Sequence, residues 1–416
     1  MKKSKNKFFI DLFAGCGGLS LGLETAGFIP VYVNELNDDA MNTYLNNRKE
    51  FPHLKTNKSY DIKKIINDKE KLNNLKNNLK NNFKIDTRQL DLIVGGPPCQ
   101  GFSGIGHRRS YSVDKKELLS NFLYKDIVKF IDFFEPKIFL FENVRGLLSS
   151  RWTKNGQKGE IWKDVLKSFG ELEQYNINSE LIKSYNYGVP QNRPRVFLVG
   201  VRKDLNIKLD KNKYFGEFFP FPDNEKKYPD LIDLIGDLQD ENYKNNLITK
   251  KYPSDISNPI QKYFRRKKNG TFFNKGDSIS DMEYSNHSAN VLKRFNYMIL
   301  NKGDIPDELK TKKFAQRLLQ KEWNGLPNIT VTSTADDYVH YSQPRTLTVR
   351  EWARLQGFPD WYQFYGPRTT GGLRRAGNPI KGLVERQLPK YTQIGNAVPV
   401  QLACKIGQHF SKILDF

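Results

Sequence analysis

The feature that most constrains this chain is an alternation in its first half. Short apolar runs at residues 8–13, 29–34, 90–94 and 137–141 are separated by stretches compatible with helices. That order predicts a parallel sheet with crossover helices, an α/β fold. Each run ends in polar or glycine-rich text: Ala14 to Gly18, Glu35, Gly95 to Ser103, and Glu142 to Val144. Open α/β sheets bind their ligands outside the carboxyl ends of the strands, so the unusual residues are expected along one edge. Two further runs, 177–185 and 196–201, are joined by residues 186–195, too few for a crossover helix. The last strand is therefore predicted antiparallel, which makes the sheet mixed and returns residues 191–195 to the ligand edge. From 202 to 344 the periodicity weakens while Pro, Asn, Lys and aromatics increase, and a separate, smaller and irregular domain is predicted there.

The formal charge of +21, from 67 Lys and Arg against 46 Asp and Glu, favours a polyanionic partner such as nucleic acid. Part of that excess lies in the Lys/Asn-rich segment 69–82, where a solvated helix face or loop is the expectation. Cys16, Cys99 and Cys404 are widely spaced with no CxxC pair, which points to a reducing compartment. His53, His107, His287, His340 and His409 form no HExxH or similar ligand spacing, so no metal-dependent mechanism is expected. The basic and apolar start is interrupted by Asp11 and the glycines after it, and no apolar run approaches membrane-spanning length. A cytoplasmic protein with no membrane partner is expected.

The run 8–13, the turn Ala14-Gly-Cys-Gly-Gly18 and the helix-compatible text from Leu19 read as strand, tight turn, helix. That arrangement lets backbone approach a nucleotide-like ligand. A dinucleotide fingerprint would need a glycine or alanine where Ser20 stands, which disfavours a pyrophosphate cofactor. Glu35, twenty residues after Gly15, is placed to accept hydrogen bonds from ribose hydroxyls. A nucleoside without a pyrophosphate fits both features, and S-adenosyl-L-methionine is the expected cofactor. The competing reading is a glycine turn that serves only close packing.

Gly95-Gly-Pro-Pro-Cys-Gln-Gly-Phe-Ser103 follows a buried strand, and its two prolines fix the backbone that presents Cys99. Carbon 5 of a pyrimidine is a poor nucleophile until a thiolate adds at carbon 6 and pushes electrons toward it, so a cysteine here suits methyl transfer to carbon. Addition leaves negative charge on the ring, and an acid at ring nitrogen 3 would stabilise it. Glu142, in Glu142-Asn-Val144, supplies that acid, and a carboxyl among apolar neighbours tends toward a raised pKa. Gln191-Asn-Arg-Pro-Arg195 adds two guanidinium groups able to hold a pyrimidine carbonyl; phosphate contact or surface charge is the alternative. Cys404 reads as core filler, and Cys16 as a backbone-contact position.

These segments, with Arg345-Thr-Leu-Thr-Val-Arg-Glu351, Arg354-Leu-Gln-Gly-Phe-Pro-Asp360 and Gln393-Ile-Gly-Asn-Ala-Val-Pro399, match in order across nearly the whole chain. The sequence resembles DNA cytosine carbon-5 methyltransferases of the bacterial restriction–modification type. That resemblance implies a Rossmann-like S-adenosylmethionine-dependent methyltransferase domain over 1–201 and a target-recognition domain over 202–390. It also implies that 391–416 return to the catalytic domain. By it Cys99 is the nucleophile, Glu142 assists at ring nitrogen 3, and Arg195 holds the flipped base with Arg193 and Asn143 in support. Phe13, Ala14, Gly15, Gly17, Glu35, Leu36, Asp61, Pro98, Leu123, Asn396 and Val398 match cofactor-pocket positions. Leu36 stands where the family often has tryptophan, so adenine stacking is weaker or comes from elsewhere.

The family further implies double-stranded DNA as substrate and extrusion of the target base; a monomer suffices for an asymmetric reader of one strand, and an endonuclease cutting the same site as partner and a solitary regulatory methylase are equally compatible with the sequence. Residues 101–117 read as a lid, with Ile105 near the position that fills the gap left by the extruded base. Arg265-Arg-Lys-Lys268 and the basic insertion 366–389 read as DNA contacts. Two rivals use the same pocket: a transfer-RNA cytosine methyltransferase, and a non-catalytic DNA-binding relative.

Overall fold

The structure, a computed structural model, describes residues 6–86, 88–98, 119–205, 207, 216–223, 228–310, 316–369 and 387–415. They divide into two compact units, the first comprising Met1–Lys183, Pro194–Asn224 and Leu402–Phe416, the second Ser184–Arg193 and Glu225–Gln401. This partition departs from the sequence boundaries at three points. The connection 184–193 falls in the second unit, the first unit continues past residue 201, and the return to it comes at Leu402 rather than 391.

The first unit is built on a seven-stranded mixed sheet. In chain order its elements are β1 (Lys7–Leu12), α1 (Gly18–Thr25), β2 (Phe28–Asn34), α2 (Asp38–Asn46), β3 (Lys58–Ser59), α3 (Lys63–Ile66), α4 (Lys69–Phe83), β4 (Leu92–Gly95), α5 (Leu123–Phe134), β5 (Ile138–Val144), α6 (Glu160–Gly170), β6 (Tyr175–Lys183) and β7 (Pro194–Arg202). The spatial order is β3-β2-β1-β4-β5-β7-β6. β1 to β5 pair in parallel, and β7 runs antiparallel between β5 and β6, as residues 186–195 predicted. β3, two residues long, is the strand the sequence did not announce.

The central strands are buried on both faces, as parallel strands under helices must be: Ile10, Leu12, Ile93, Phe139 and Phe141 join one cluster with Phe130, Phe134 and Phe169 from the covering helices. Phe139 meets Phe169 and Tyr175 with ring centroids 5.5 and 5.0 Å apart. Burial of each such ring is worth about 1.5–3 kcal/mol, so β5 is held firmly where it carries Glu142 and Asn143. The Lys/Asn-rich segment is indeed a solvated helix. Of α4, Leu72, Leu75 and Leu79 form the buried stripe, and the Asp68 side chain caps it by accepting from Lys71 N.

The second unit has short elements: α7 (Leu231–Ile235), α8 (Pro259–Arg265), α9 (Ala289–Leu300), β8 (Arg317–Leu318), β9 (Tyr338–Val339), α10 (Val349–Leu355) and α11 (Lys390–Asn396), followed by α12 (Val400–Leu414), which carries the chain back into the first unit. With so little regular structure, its interior relies on buried ion pairs. Arg345 meets Glu351 through two hydrogen bonds, Nη1 to Oε2 at 2.8 Å and Nη2 to Oε1 at 2.7 Å. Arg354 bridges Asp237 and Asp360, and Arg265 donates Nε to Asp237 at 2.7 Å. Arg265 therefore is not the DNA contact its basic run implied. It is fully buried, paired with a carboxylate, and its guanidinium carbon sits 4.1 Å from the Tyr252 ring centre. Among the described residues no helix is long and apolar enough to cross a membrane.

His340 is buried in that interior, and burial together with the Arg345 charge pushes its imidazole from 6.5 down to about 3. A histidine depressed in this way contributes stability that is complete above about pH 6.5 and is lost as pH falls toward 3. Glu351 has the same sign. Burial alone would raise its carboxyl, but Arg345 holds it at about 2 against 4.5, so its contribution is lost only below about pH 4.5. Between about pH 6.5 and 4.5 the stability of the wild type, followed by its urea midpoint, should therefore change with falling pH more unfavourably than that of His340→Gln, by about 1.4 kcal/mol per pH unit. An identical slope in the variant would show that His340 is not its source.

Candidate active site

The carboxyl end of β1 carries a strained turn. Phe13, Gly15 and Gly17 all have positive φ, at 60°, 56° and 83°. A non-glycine residue in that region is uncommon and must be held by its surroundings. Here Ala14 N donates to Asn34 O and Gly17 N to Ala14 O, both at 2.9 Å, while Gly15 N donates to Glu35 Oε2 at 2.8 Å. Glu35 thus closes the turn from the end of β2, its other oxygen accepting from Asn37 N at 2.8 Å. Burial raises the Glu35 carboxyl, opposed by these backbone hydrogen bonds.

Nothing lies within 4 Å of where a Cβ on Gly15 would stand, whereas one on Gly17 would meet Arg48 Nη1 at 2.7 Å. Of the two glycines expected to admit a ligand, Gly15 borders open space and Gly17 borders a guanidinium. Leu36, beside Glu35, is 70% exposed and offers an apolar surface there. Asp61 follows β3 at the same edge. Asn34 Nδ2 holds Tyr60 O at 2.7 Å, and Asp61 Oδ1 accepts from Lys63 N at 2.9 Å. Phe13 and Leu123 both pack, half-buried, against the first unit's core.

The ends of β4 and β5 form a second group one strand away. Val144 opposes Arg195 in the β5–β7 pairing, and Glu142 opposes Phe197. Glu142 and Arg195 are therefore diagonal neighbours on one face, and Arg195 Nε lies 3.1 Å from Glu142 Oε1. Glu142 also abuts the end of β4, since a Cβ on Gly96 would stand 3.1 Å from its Oε2. Asn143 Nδ2 donates to Pro97 O at 3.2 Å and so ties β5 to the proline pair. Pro98 is exposed; Cys99, the next residue, lies outside the described residues, as do the loop 101–117 and residues 370–386 of the basic insertion. The Glu142 carboxyl is not surrounded by apolar groups alone, as the sequence suggested, because its partner is a guanidinium.

Arg193 takes another course. It precedes β7, belongs to the second unit, and is buried there with Nη1 donating to Val331 O and Nη2 to Gly395 O at 2.6 and 2.7 Å. Its Nη1 and Nη2 serve backbone carbonyls. Asn396 is exposed at the end of α11 and Val398 is buried, both in the second unit. Cys16 is buried, and burial pushes its thiol up to about 12, so it is no nucleophile. Cys404 is likewise raised by burial.

The residues behind the turn could not be read from motif or spacing. Ser20 Oγ donates to Asp11 Oδ2 at 2.5 Å and lies 2.8 Å from Tyr44 OH, and burial pushes the Asp11 carboxyl up to about 7. Asp11 stood inside a recognised motif, but Tyr44, the second partner of Ser20, is 24 positions beyond that serine.

The sequence model of the family described as C-5 cytosine-specific DNA methylase matches residues 8–412. The chain belongs to that family. It is 30% identical to the type II methyltransferase M.DdeI of Desulfomicrobium norvegicum over 97% of this chain and 88% of that protein. It is also 30% identical to the type II methyltransferase M.FnuDI of Fusobacterium nucleatum, over 97% and 94%. A crystal structure described as a DNA modification methyltransferase encoded within a prophage (E. coli) covers 99% of this chain and 100% of that one with a TM-score of 0.66 at 24% identity. The Entamoeba histolytica methyltransferase EhMeth covers 99% of each at 0.53 and 14%. These two similarities bear on fold alone, the Rossmann-like methyltransferase fold. As a member of the family, the chain is a DNA (cytosine-5) methylase.

In this methylase Arg193→Met should lose about 2–4 kcal/mol of unfolding free energy, because buried carbonyls lose their donor. Urea denaturation checks this, and a loss within about 0.5 kcal/mol would return Arg193 to the set of candidate base-contacting groups.

Proposed function

We propose that the protein transfers a methyl group from S-adenosyl-L-methionine to carbon 5 of a cytosine extruded from duplex DNA, with Cys99 as covalent nucleophile. The observation that carries this reading is the grouping of Glu142, Arg195, Asn143 and the Gly96-Pro97 backbone at the joined ends of β4, β5 and β7. A thiolate on Cys99 adds to carbon 6, forming a sulfur–carbon bond and moving a ring electron pair toward carbon 5. Glu142 delivers a proton toward ring nitrogen 3, where negative charge would otherwise develop. Arg195, joined to Glu142 through Nε, orients that carboxyl and sets positive charge beside the pyrimidine carbonyl. Asn143 is a positioning residue that holds the Pro97 carbonyl and with it the approach to Cys99. Once carbon 5 has taken the methyl group, loss of its proton to a base leaves the C–H electron pair to re-form the carbon 5–carbon 6 double bond as the sulfur leaves.

The cofactor reading fits the described residues. Gly15 borders open space, Glu35 places a carboxylate at the end of β2, and Leu36 exposes an apolar side chain beside it. Glu35 would hold the ribose hydroxyls, with Phe13, Ala14, Leu36, Asp61, Pro98, Leu123, Asn396 and Val398 as further contacts. When bound, S-adenosyl-L-methionine supplies the electrophilic methyl group. We assign target recognition to 202–390 and a restriction–modification role with an endonuclease of matching specificity, since similar proteins are named type II methyltransferases.

Bisulfite sequencing of DNA from cells expressing the wild type should reveal protected cytosines in one fixed context, and Cys99→Ala should abolish them. Arg195→Met should lower the methylation rate at least about 100-fold, the loss of two or more charge-assisted hydrogen bonds. Modified transfer RNA with unmodified DNA would overturn the substrate, and no modification of either would favour a non-catalytic protein.

A further inference from the structure

The strained turn after β1 is braced from behind by a residue 31 positions beyond Gly17. Arg48 is buried, and each arm of its guanidinium is directed at a separate target. Nε donates to Glu24 Oε1 at 2.6 Å, Nη1 to Tyr44 O at 3.0 Å and Nη2 to Gly17 O at 3.0 Å. Its planar group also lies over the Tyr44 ring, 3.8 Å from the centre. Gly17 and Glu24 bracket α1 and are separated by about two helical turns, so they fall on one face of that helix. The guanidinium therefore links the carbonyl that begins α1 to the carboxylate of its last turn and to the end of α2.

Gly17 O has a second duty, accepting the first helical hydrogen bond from Leu21 N at 2.9 Å. Its Ncap residue supplies no side-chain cap, so the start of α1 is fixed by backbone and Arg48. The space beside Gly17 is also filled by Arg48 and Tyr44, since an added Cβ would fall 2.7 Å from Nη1 and 2.8 Å from Tyr44 Cδ2. Gly15, two residues earlier, has open space on that side. The two glycines are thus required for different partners, Gly15 for the ligand side and Gly17 for the guanidinium.

We propose that Arg48 is the positioning residue of the cofactor turn: by holding Gly17 O it keeps the turn, with Phe13, Gly15 and Gly17 in the left-handed region, in the conformation that presents Gly15 and Glu35 to S-adenosylmethionine. This rests on the cofactor reading above. Lysine would keep the buried charge near Glu24 but, with one donor atom in place of a fork, cannot serve all three acceptors at once.

Isothermal titration with S-adenosylmethionine on the full chain tests it, together with amide hydrogen exchange of the cofactor-free enzyme. Arg48→Lys should raise Kd and KM for S-adenosylmethionine about 10- to 100-fold, the equivalent of one charge-assisted hydrogen bond, with kcat at saturation within about threefold. The Leu21 amide should exchange faster. General destabilisation would instead lower the binding stoichiometry and kcat at unchanged KM. Glu24→Gln, which loosens the Nε arm and keeps the charge of Arg48, should weaken binding about threefold and serves if Arg48→Lys does not fold. Wild-type affinity and Leu21 protection in either folded variant would overturn the proposal while leaving the cofactor reading intact. Failure of the wild type itself to bind S-adenosylmethionine would overturn that reading and this inference with it.

Discussion

The pairing of β7 against β5 is the constraint on which the reaction site depends. Because Val144 opposes Arg195, the carboxylate of Glu142 and the guanidinium of Arg195 fall on one face within ion-pair distance. A slip of one residue would turn Arg195 to the opposite face and leave Glu142 beside an apolar side chain. The register itself is set by the apolar run of β7, Val196, Phe197, Leu198 and Val199, each buried between β5 and β6. Ordinary core packing thereby fixes a geometry that hydrogen bonds alone could not specify.

The cofactor edge is held differently. Phe13 packs against the core and Ala14 against Val33, Met41 and Tyr44, and polar partners tie the turn itself: Asn34 O, the Glu35 carboxylate and Arg48. Such a site is stiff only while its partners are charged and paired, and buried charged partners are costly to separate. The second unit follows the same principle on a larger scale, with Arg345, Arg354 and Arg265 matched to Glu351, Asp360 and Asp237. Many of the chain's basic residues are therefore internal braces, and the net charge overstates the number available to DNA.

The sheet was legible because each strand is a short apolar run closed by a turn, and both ends of the hairpin could be located from residues 177–201. β3 escaped because two residues carry no periodicity. Glu142 and Arg195 were legible from motif and strand position together, whereas the buried contacts of Arg193 with Val331 O and Gly395 O were not. Its spacing of two from Arg195 suggests one strand face, but β7 begins only at Pro194. Arg265 failed for a related reason: in a run of four basic residues nothing distinguishes the one that ends α8 against Asp237. Arg48 left no trace because its meaning lies in contacts with Gly17 and Glu24, which only folding creates.

The covalent step is the centre of this account, and mechanism-based trapping tests it most directly. Duplex DNA with 5-fluorocytosine at the modified position would be incubated with the enzyme and S-adenosylmethionine, then digested for peptide mass mapping. Fluorine cannot leave carbon 5 as a cation, so the enzyme should remain bound through Cys99, with both the methyl group and the nucleotide carried on that adduct. Steady methylation of ordinary DNA without any trapped adduct, or an adduct on another residue, would contradict it.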